Sequence, residues 1–158
     1  MQTTATPART RYFIPALGGI YDRLGEFGWA ILRIVYGAFF IPHGMQKLFG
    51  VWGGNVEGLA KAIEGKIGMS PGIFWAYTIG CLEFFGGILL VLGLFTRPAA
   101  AGFVIFMYVA AFHYNNQFGW WWTKGGMEMP LLLLGIAVAI LIRGGGAYSL
   151  DRKIGREF

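Results

Sequence analysis

Residues 71–95 read PGIFWAYTIGCLEFFGGILLVLGLF, and Glu83 is the one charge among them. A helix needs about 20 apolar residues to cross roughly 30 Å of hydrocarbon, and this stretch supplies them. Ser70 stands where an N-cap belongs and Pro71 at the first helical position, a standard start signal. The rest of the chain agrees with a membrane span at its centre. Of its 158 residues 56% are hydrophobic and 17% aromatic, while 13% are charged, against roughly 25% in soluble domains. That balance argues against a soluble enzyme, and the length suits one domain.

Working outward, three more spans are expected. One covers about residues 28–49 and carries Arg33, His43 and Lys47, with Pro42 breaking a backbone hydrogen bond just before His43. Another covers about 98–114 and opens on Pro98. The last, about 126–142, has an apolar run of 15 residues (EMPLLLLGIAVAILI), about 22 Å of helix, so it draws on Gly126 or lets Arg143 snorkel. The expected fold is all-α: an integral membrane four-helix bundle over 28–145, with an N-terminal tail (1–27) and a C-terminal tail (146–158). In the first outer loop Val56, Leu59, Ala60, Ile63 and Ile67 recur at helical spacing, which describes a short amphipathic helix. It either lies on the outer leaflet or caps the bundle. Tyr114, Phe118 and Trp120–Trp122 fit an interfacial aromatic belt.

The basic residues set the orientation. Arg9, Arg11, Arg23, Arg97, Arg143, Arg152, Lys153 and Arg156 fall on one side, against Lys47, Lys61, Lys66 and Lys124 on the other. Eight against four puts both termini in the cytoplasm of a multi-pass inner-membrane protein. No apolar segment of signal-peptide length precedes the first span. The net charge of +5 then concerns insertion and headgroups. It forms no basic face for nucleic acid. Cys81 is the sole cysteine, so no disulfide within the chain, Cys-x-x-Cys pair or cysteine zinc site is available.

Ionisable groups inside spans are costly and mark function by default. At 100° per residue, Arg33, Tyr36, Phe40, His43 and Lys47 lie within about 80° of one another. Glu83 shares a small-residue face with Ala76, Gly80 and Gly87. His113 continues a face through Ala99, Gly102, Phe106 and Ala110, and Glu128 one through Leu131, Gly135 and Ala139. Counted at 1.5 Å per residue from the inner end, His43, His113 and Glu128 reach about 21–22 Å and Glu83 about 18 Å. These levels predict a polar chamber in the outer half, built from His43, Glu83, His113 and Glu128 and reachable by Lys47, with Arg33 below.

Several chemistries fit such a chamber. Two histidines at one level are the axial pair a haem requires, but helices this rich in glycine and alanine leave little room for the macrocycle. Di-iron bundles use Glu-x-x-His repeats, which this chain lacks, so no metal is expected. Carboxylate and histidine groups between aromatic and methionine walls suit a quinone. The plain alternative is that Arg33 pairs with Glu83 to hold helices together and the histidines satisfy backbone carbonyls.

Residues 33–50 (RIVYGAFFIPHGMQKLFG) and 83–99 (EFFGGILLVLGLFTRPA) resemble the DoxX family of small membrane proteins. Arg33, Gly37, Gly44 and Lys47 match polar and small positions of that family's first span, and Glu83, Gly86, Gly87, Gly93 and Arg97 those of its second. The resemblance implies a four-helix membrane protein tied to redox complexes, as a quinone-reducing partner in thiosulfate oxidation or a membrane anchor of detoxifying assemblies. His43 and His113 are not carried over from it. The resulting expectation is a redox-system membrane subunit in which Glu83 and His113 handle protons, His43 and Glu128 fix a quinone head group with Lys47 in reach, and Arg33 neutralises Glu83. A non-catalytic anchor or accessory subunit of a larger complex is the alternative. A small proton-coupled carrier is disfavoured, because the four spans lack repeat symmetry.

Overall fold

Proline at a helix start and glycine just past its end punctuate this chain. The computed structural model describes residues 13–156, which form seven α-helices and no strand. Arg9 and Arg11 of the charge count lie outside the described residues. Helix α1 (Pro15–Phe49) begins on Pro15 and ends at Gly50, whose φ of 67° is the left-handed stop. It starts well before Gly28, where the apolar run alone places a span. The reason is that Ile20, Leu24, Phe27 and Ile31 share one stripe, so the helical pattern continues through the glycines at 25 and 28.

The loop helix is α2 (Val56–Ile67), capped by the Asn55 side chain, which accepts from the Gly58 N–H at 2.9 Å. Ala60 and Ile63 are buried against Ala76, so α2 packs on the next helix as a cap. That helix, α3 (Gly72–Cys81), continues through a π-helical turn (Leu82–Gly86) into α4 (Gly87–Leu92). Ser70 does not cap α3. Instead the Glu64 carboxylate of α2 accepts from the Gly72 N–H at 2.6 Å, a charge-assisted bond at the positive end of the helix dipole.

Helix α4 ends in a Schellman turn, with the Leu94 N–H on the Leu89 carbonyl at 2.9 Å and Gly93 at φ 67°. Helix α5 (Thr96–Val109) comes directly after it and runs into a second π-helical turn (Ala110–Asn115). The tryptophan loop leads to α6 (Glu128–Arg143), and Ser149 caps a last short helix, α7 (Leu150–Ile154). Helix α1 packs along α3 and α4, and α5 along α6. Glycines set the closest approach: a Cβ on Gly37 would stand 2.5 Å from the Gly87 carbonyl oxygen, and one on Gly44 would collide with the Phe84 backbone.

Two rods, Leu24–Phe49 and Gly72–Leu92, are long and apolar enough to cross a membrane. Only 28% and 33% of their most apolar windows are buried within the molecule, whereas the core helix of a soluble protein is mostly buried. Val35, Phe74 and Phe85 point outward at 61%, 57% and 54% exposure, a surface suited to lipid. Tyr36, Phe40, Leu90, Phe103, Met107 and Ile140 form the core beneath it.

Candidate functional site

Lys47 stands in the last turn of α1, and Glu83 in the π-helical turn between α3 and α4. Such turns insert an extra residue into a helix and recur at functional sites. Here the turn sets Glu83 against α1, where the Lys47 Nζ meets its Oε2 at 2.5 Å. The carboxylate side chain is 4% exposed and the lysine 20%. Small residues let the rods come this close: Gly44 faces the Phe84 backbone, and a Cβ on Gly80 would press on Leu48 and the Lys47 Cβ. The His43 carbonyl, 3.4 Å from the Lys47 Nζ, is the ammonium's other acceptor.

A cavity of about 320 Å³ lies between α2, α3 and α5, lined among others by Ile63, Trp75, Leu82, Gly102 and Phe106 but by neither Lys47 nor Glu83. Its wall is almost wholly apolar, and Leu82 is the neighbour of Glu83 in the π-helical turn. Lys66, on α2, lies over the rings of Tyr114 and Phe118, 4.7 and 4.4 Å from their centroids, a cation–π contact.

Arg33 is not the partner of Glu83. It sits 14 residues before Lys47 on α1, about 21 Å away along the helix. Its guanidinium, fully buried, donates to the carbonyls of Leu90, of Val91 at 3.1 Å and of Tyr148 at 2.8 Å. It thus caps the C-terminus of α4. Asp151 does the complementary work at the next terminus: its two oxygens accept from the Phe95 and Thr96 N–H groups at 2.8 and 2.9 Å, at the start of α5. The Asp151 N–H returns to the Gly93 carbonyl at 2.9 Å. A Cβ on Gly93 would strike both the Arg33 guanidinium and Ser149. Close by, Glu26 accepts from Arg143 at 2.7 Å and from the Ala147 N–H at 3.1 Å. The Trp29 indole donates to the Gly144 carbonyl at 3.0 Å.

The four-residue chamber does not assemble. Among the described residues no three of His, Cys, Asp and Glu come close enough to hold a metal ion. His43 is exposed beside the Phe39 ring, and His113 is exposed beside Tyr108. With Arg33 as zero, the tightly packed Gly44 and Gly37 fall near +20° and +40° around α1, while His43 falls near −80°. The polar stripe is centred on its charged members, and the packed face is centred on the glycines. Along α5 and the π-helical turn after it, the buried face runs through Ala100, Phe103, Met107 and Ala111, one residue off the face through Gly102 and Ala110. His113 stands two residues beyond Ala111, inside a π-helical turn, and points away. Glu128 ties down the tryptophan loop, accepting from the Trp122 N–H at 3.2 Å.

Of the expected site residues, then, Glu83 and Lys47 come together with only the backbone carbonyl of His43 beside them, and Arg33, His113 and Glu128 stand elsewhere. Asp151 is a residue that sequence reasoning missed. Its signal is the capping pattern Ser149-Leu-Asp after a glycine run, in a segment read as tail.

The DoxX family model matches residues 28–116. A Bacillus subtilis protein named "Putative oxidoreductase CatD" is 29% identical over 126 residues, covering 80% of this chain and 86% of that protein. The "Inner membrane protein YqjF" of Escherichia coli is 26% identical over 136 residues, covering 86% and 98%. An uncharacterised Haemophilus influenzae protein is 34% identical over 131 residues, covering 78% and 88%. No solved structure matches the chain.

Proposed function

Because the chain belongs to the DoxX family of membrane proteins, we propose that it is a multi-pass inner-membrane subunit of a redox system. In this reading α1, the α3–α4 rod, α5 and α6 form a four-helix bundle and each crosses the bilayer. Arg97, Arg143, Arg152 and Lys153 lie toward the end of the molecule held by Arg33 and Asp151, and Lys47, Lys61, Lys66 and Lys124 toward the other. The positive-inside rule makes the first end, with both termini, cytoplasmic. A reporter fused at Arg152 is expected to report cytoplasm, and one at Lys61 the opposite side.

The single observation that carries the functional reading is the buried Lys47–Glu83 pair in its π-helical turn, whose neighbouring residue Leu82 lines an apolar cavity. A pair of charges so placed carries a large desolvation cost, and apolar residues of like volume often serve stability as well or better. For a quinone or similar lipid-soluble carrier the pair offers the lysine ammonium as a donor to a carbonyl oxygen, and the separate cavity reached at Leu82 offers Trp75 and Phe106 as flat walls in about 320 Å³, at the lower end of small-molecule sites. A bound quinone supplies two-electron, two-proton chemistry. Glu83 holds the proton at a carboxylate oxygen, Lys47 balances its charge when the proton leaves, and the apolar wall excludes water. The relative named as an oxidoreductase supports the same assignment.

The outward histidines and the use of Arg33 and Asp151 as helix caps favour a second reading, a non-catalytic anchor of a larger complex. Solvent extraction of the purified protein separates the two. Quinone is expected in wild type and lost from Glu83→Gln with helix content unchanged; a wild type free of quinone leaves the anchor.

A further inference from the structure

A groove of about 380 Å³ lies between α1 and α6, lined among others by Gly28, Leu32, Phe39, Met129, Leu133 and Ile136, with an almost wholly apolar wall. At one end the two helices are tied by Trp29 to Gly144 and by Glu26 to Arg143. Elsewhere they touch sparsely. From Gly28 to Phe39 the groove follows α1 for 11 residues, about 16 Å, which is half of the roughly 30 Å of hydrocarbon. That is the depth of one leaflet. A membrane-crossing helix of a partner or a second copy would need a seam about twice as long, whereas one acyl chain reaches just this far. Gly28 leaves the end of the groove near the ties open, since a Cβ built on it meets nothing within 4 Å.

A charge stands at that open end. Met129, Leu133, Ile136 and Arg143 fall within about 80° of one another around α6, so Arg143 ends the stripe that lines the groove. Its guanidinium lies 4.7 Å over the ring of Trp29, the residue after Gly28, and donates to the Glu26 carboxylate at 2.7 Å. Both side chains are nearly half exposed, at 46% and 45%. A guanidinium has five N–H donors, and Glu26 takes one. Arg152 adds a second positive charge to the field at Glu26, and Lys153 follows it, so the cluster as a whole is positive.

We propose that this groove is a site for an anionic phospholipid, with one acyl chain between α1 and α6 and the phosphodiester accepting from the Arg143 guanidinium. Charge selects the class. Arginine–phosphate bonds are charge-assisted and often two-pronged, and basic pockets between membrane helices take anionic headgroups. A zwitterionic choline lipid would bring its own cation against Arg143 and Arg152. Glu26 competes with the phosphate for Arg143, which fixes the sign of one test below. The topology proposed above makes this the cytoplasmic leaflet, but binding in detergent does not depend on sidedness. The site is separate from the Lys47–Glu83 pair and stands whether or not that pair handles a carrier.

Native mass spectrometry of the full chain in detergent, titrated with dioleoylphosphatidylglycerol or dioleoylphosphatidylcholine, tests this. Wild type is expected to retain the glycerol lipid in preference to the choline lipid. Arg143→Gln is expected to weaken binding of the glycerol lipid about tenfold and leave the choline lipid unchanged. Gly28→Leu, which fills the open end where a Cβ has free space, is expected to displace the glycerol lipid with helix content intact. Glu26→Gln loses the ties to Arg143 and the Ala147 N–H, so it is expected to melt lower without lipid and yet to bind the glycerol lipid more tightly than wild type. A merely structural ion pair does not predict that gain. The proposal is overturned by equal retention of the two lipids, which would make the occupant ordinary boundary lipid, by undiminished binding in Arg143→Gln or Gly28→Leu, or by weaker binding in Glu26→Gln. It is equally overturned if inorganic phosphate raises the melting temperature as much as the glycerol lipid does, which would assign the arginine to a free anion. A stable dimer that Gly28→Leu dissociates would overturn it too, by giving the groove to a second copy.

Discussion

At the Arg33 end of the molecule the buried charges face helix termini; at the Lys47 end they face each other. Arg33 and Asp151 each answer several backbone groups, the last carbonyls of α4 and the first N–H groups of α5. Those groups exist whatever the side chains are, so the charges are required by the corner itself. Lys47 and Glu83 answer mainly one another. Remove both and no helix end is left bare. A charge that caps a helix explains its own cost, and a pair that caps nothing invites a functional explanation.

Substitution can break that comparison. Arg33→Met leaves three carbonyls without their donor and Asp151 without a nearby cation, and is expected to cost about 3–5 kcal/mol in denaturant unfolding in detergent. Arg33→Lys is expected to recover part of this, since a single ammonium cannot span the carbonyls that the guanidinium fork reaches. Adding Asp151→Asn to Arg33→Met should not rescue it, because both termini stay poorly capped. The other end should behave in the opposite way. Lys47→Met alone strands a buried carboxylate and is expected to cost about 1–3 kcal/mol, while the double Lys47→Met, Glu83→Met is expected to return to wild-type stability or above it. A double variant as unstable as the single one would make the pair structural. The smallest effect is expected from His43→Ala and His113→Ala, each within about 0.5 kcal/mol; a larger loss would mean that the histidines touch more than their neighbouring rings.

Much of the fold was legible because helices announce themselves by apolar length, and glycines by where nothing larger fits. The rod around Glu83 and the loop helix at Val56–Ile67 both come from such patterns. Orientation around a helix was harder. His43 shares a stripe with Arg33 and Lys47 to within about 80°, yet the packing is centred on Gly37 and Gly44, so the histidine turns outward. Two π-helical turns, at Glu83 and at His113, shift the helical phase of the residues beyond them, and no residue preference marks such a turn in a sequence. Long-range partners were hardest of all. Nothing local to Arg33 says that its acceptors are Leu90, Val91 and Tyr148.

The Asp151 cap also imposes an order on biogenesis. Synthesis runs from α1 toward α7, so every helix long enough to insert is made before Ser149 and Asp151 exist. Until then the corner between α4 and α5 carries bare N–H groups at Phe95 and Thr96, and the guanidinium of Arg33 has no Tyr148 carbonyl to hold. Locking that corner therefore waits until residues 148–151 have been made. A nascent chain halted before residue 149 would hold α4 and α5 with the joint between them still open.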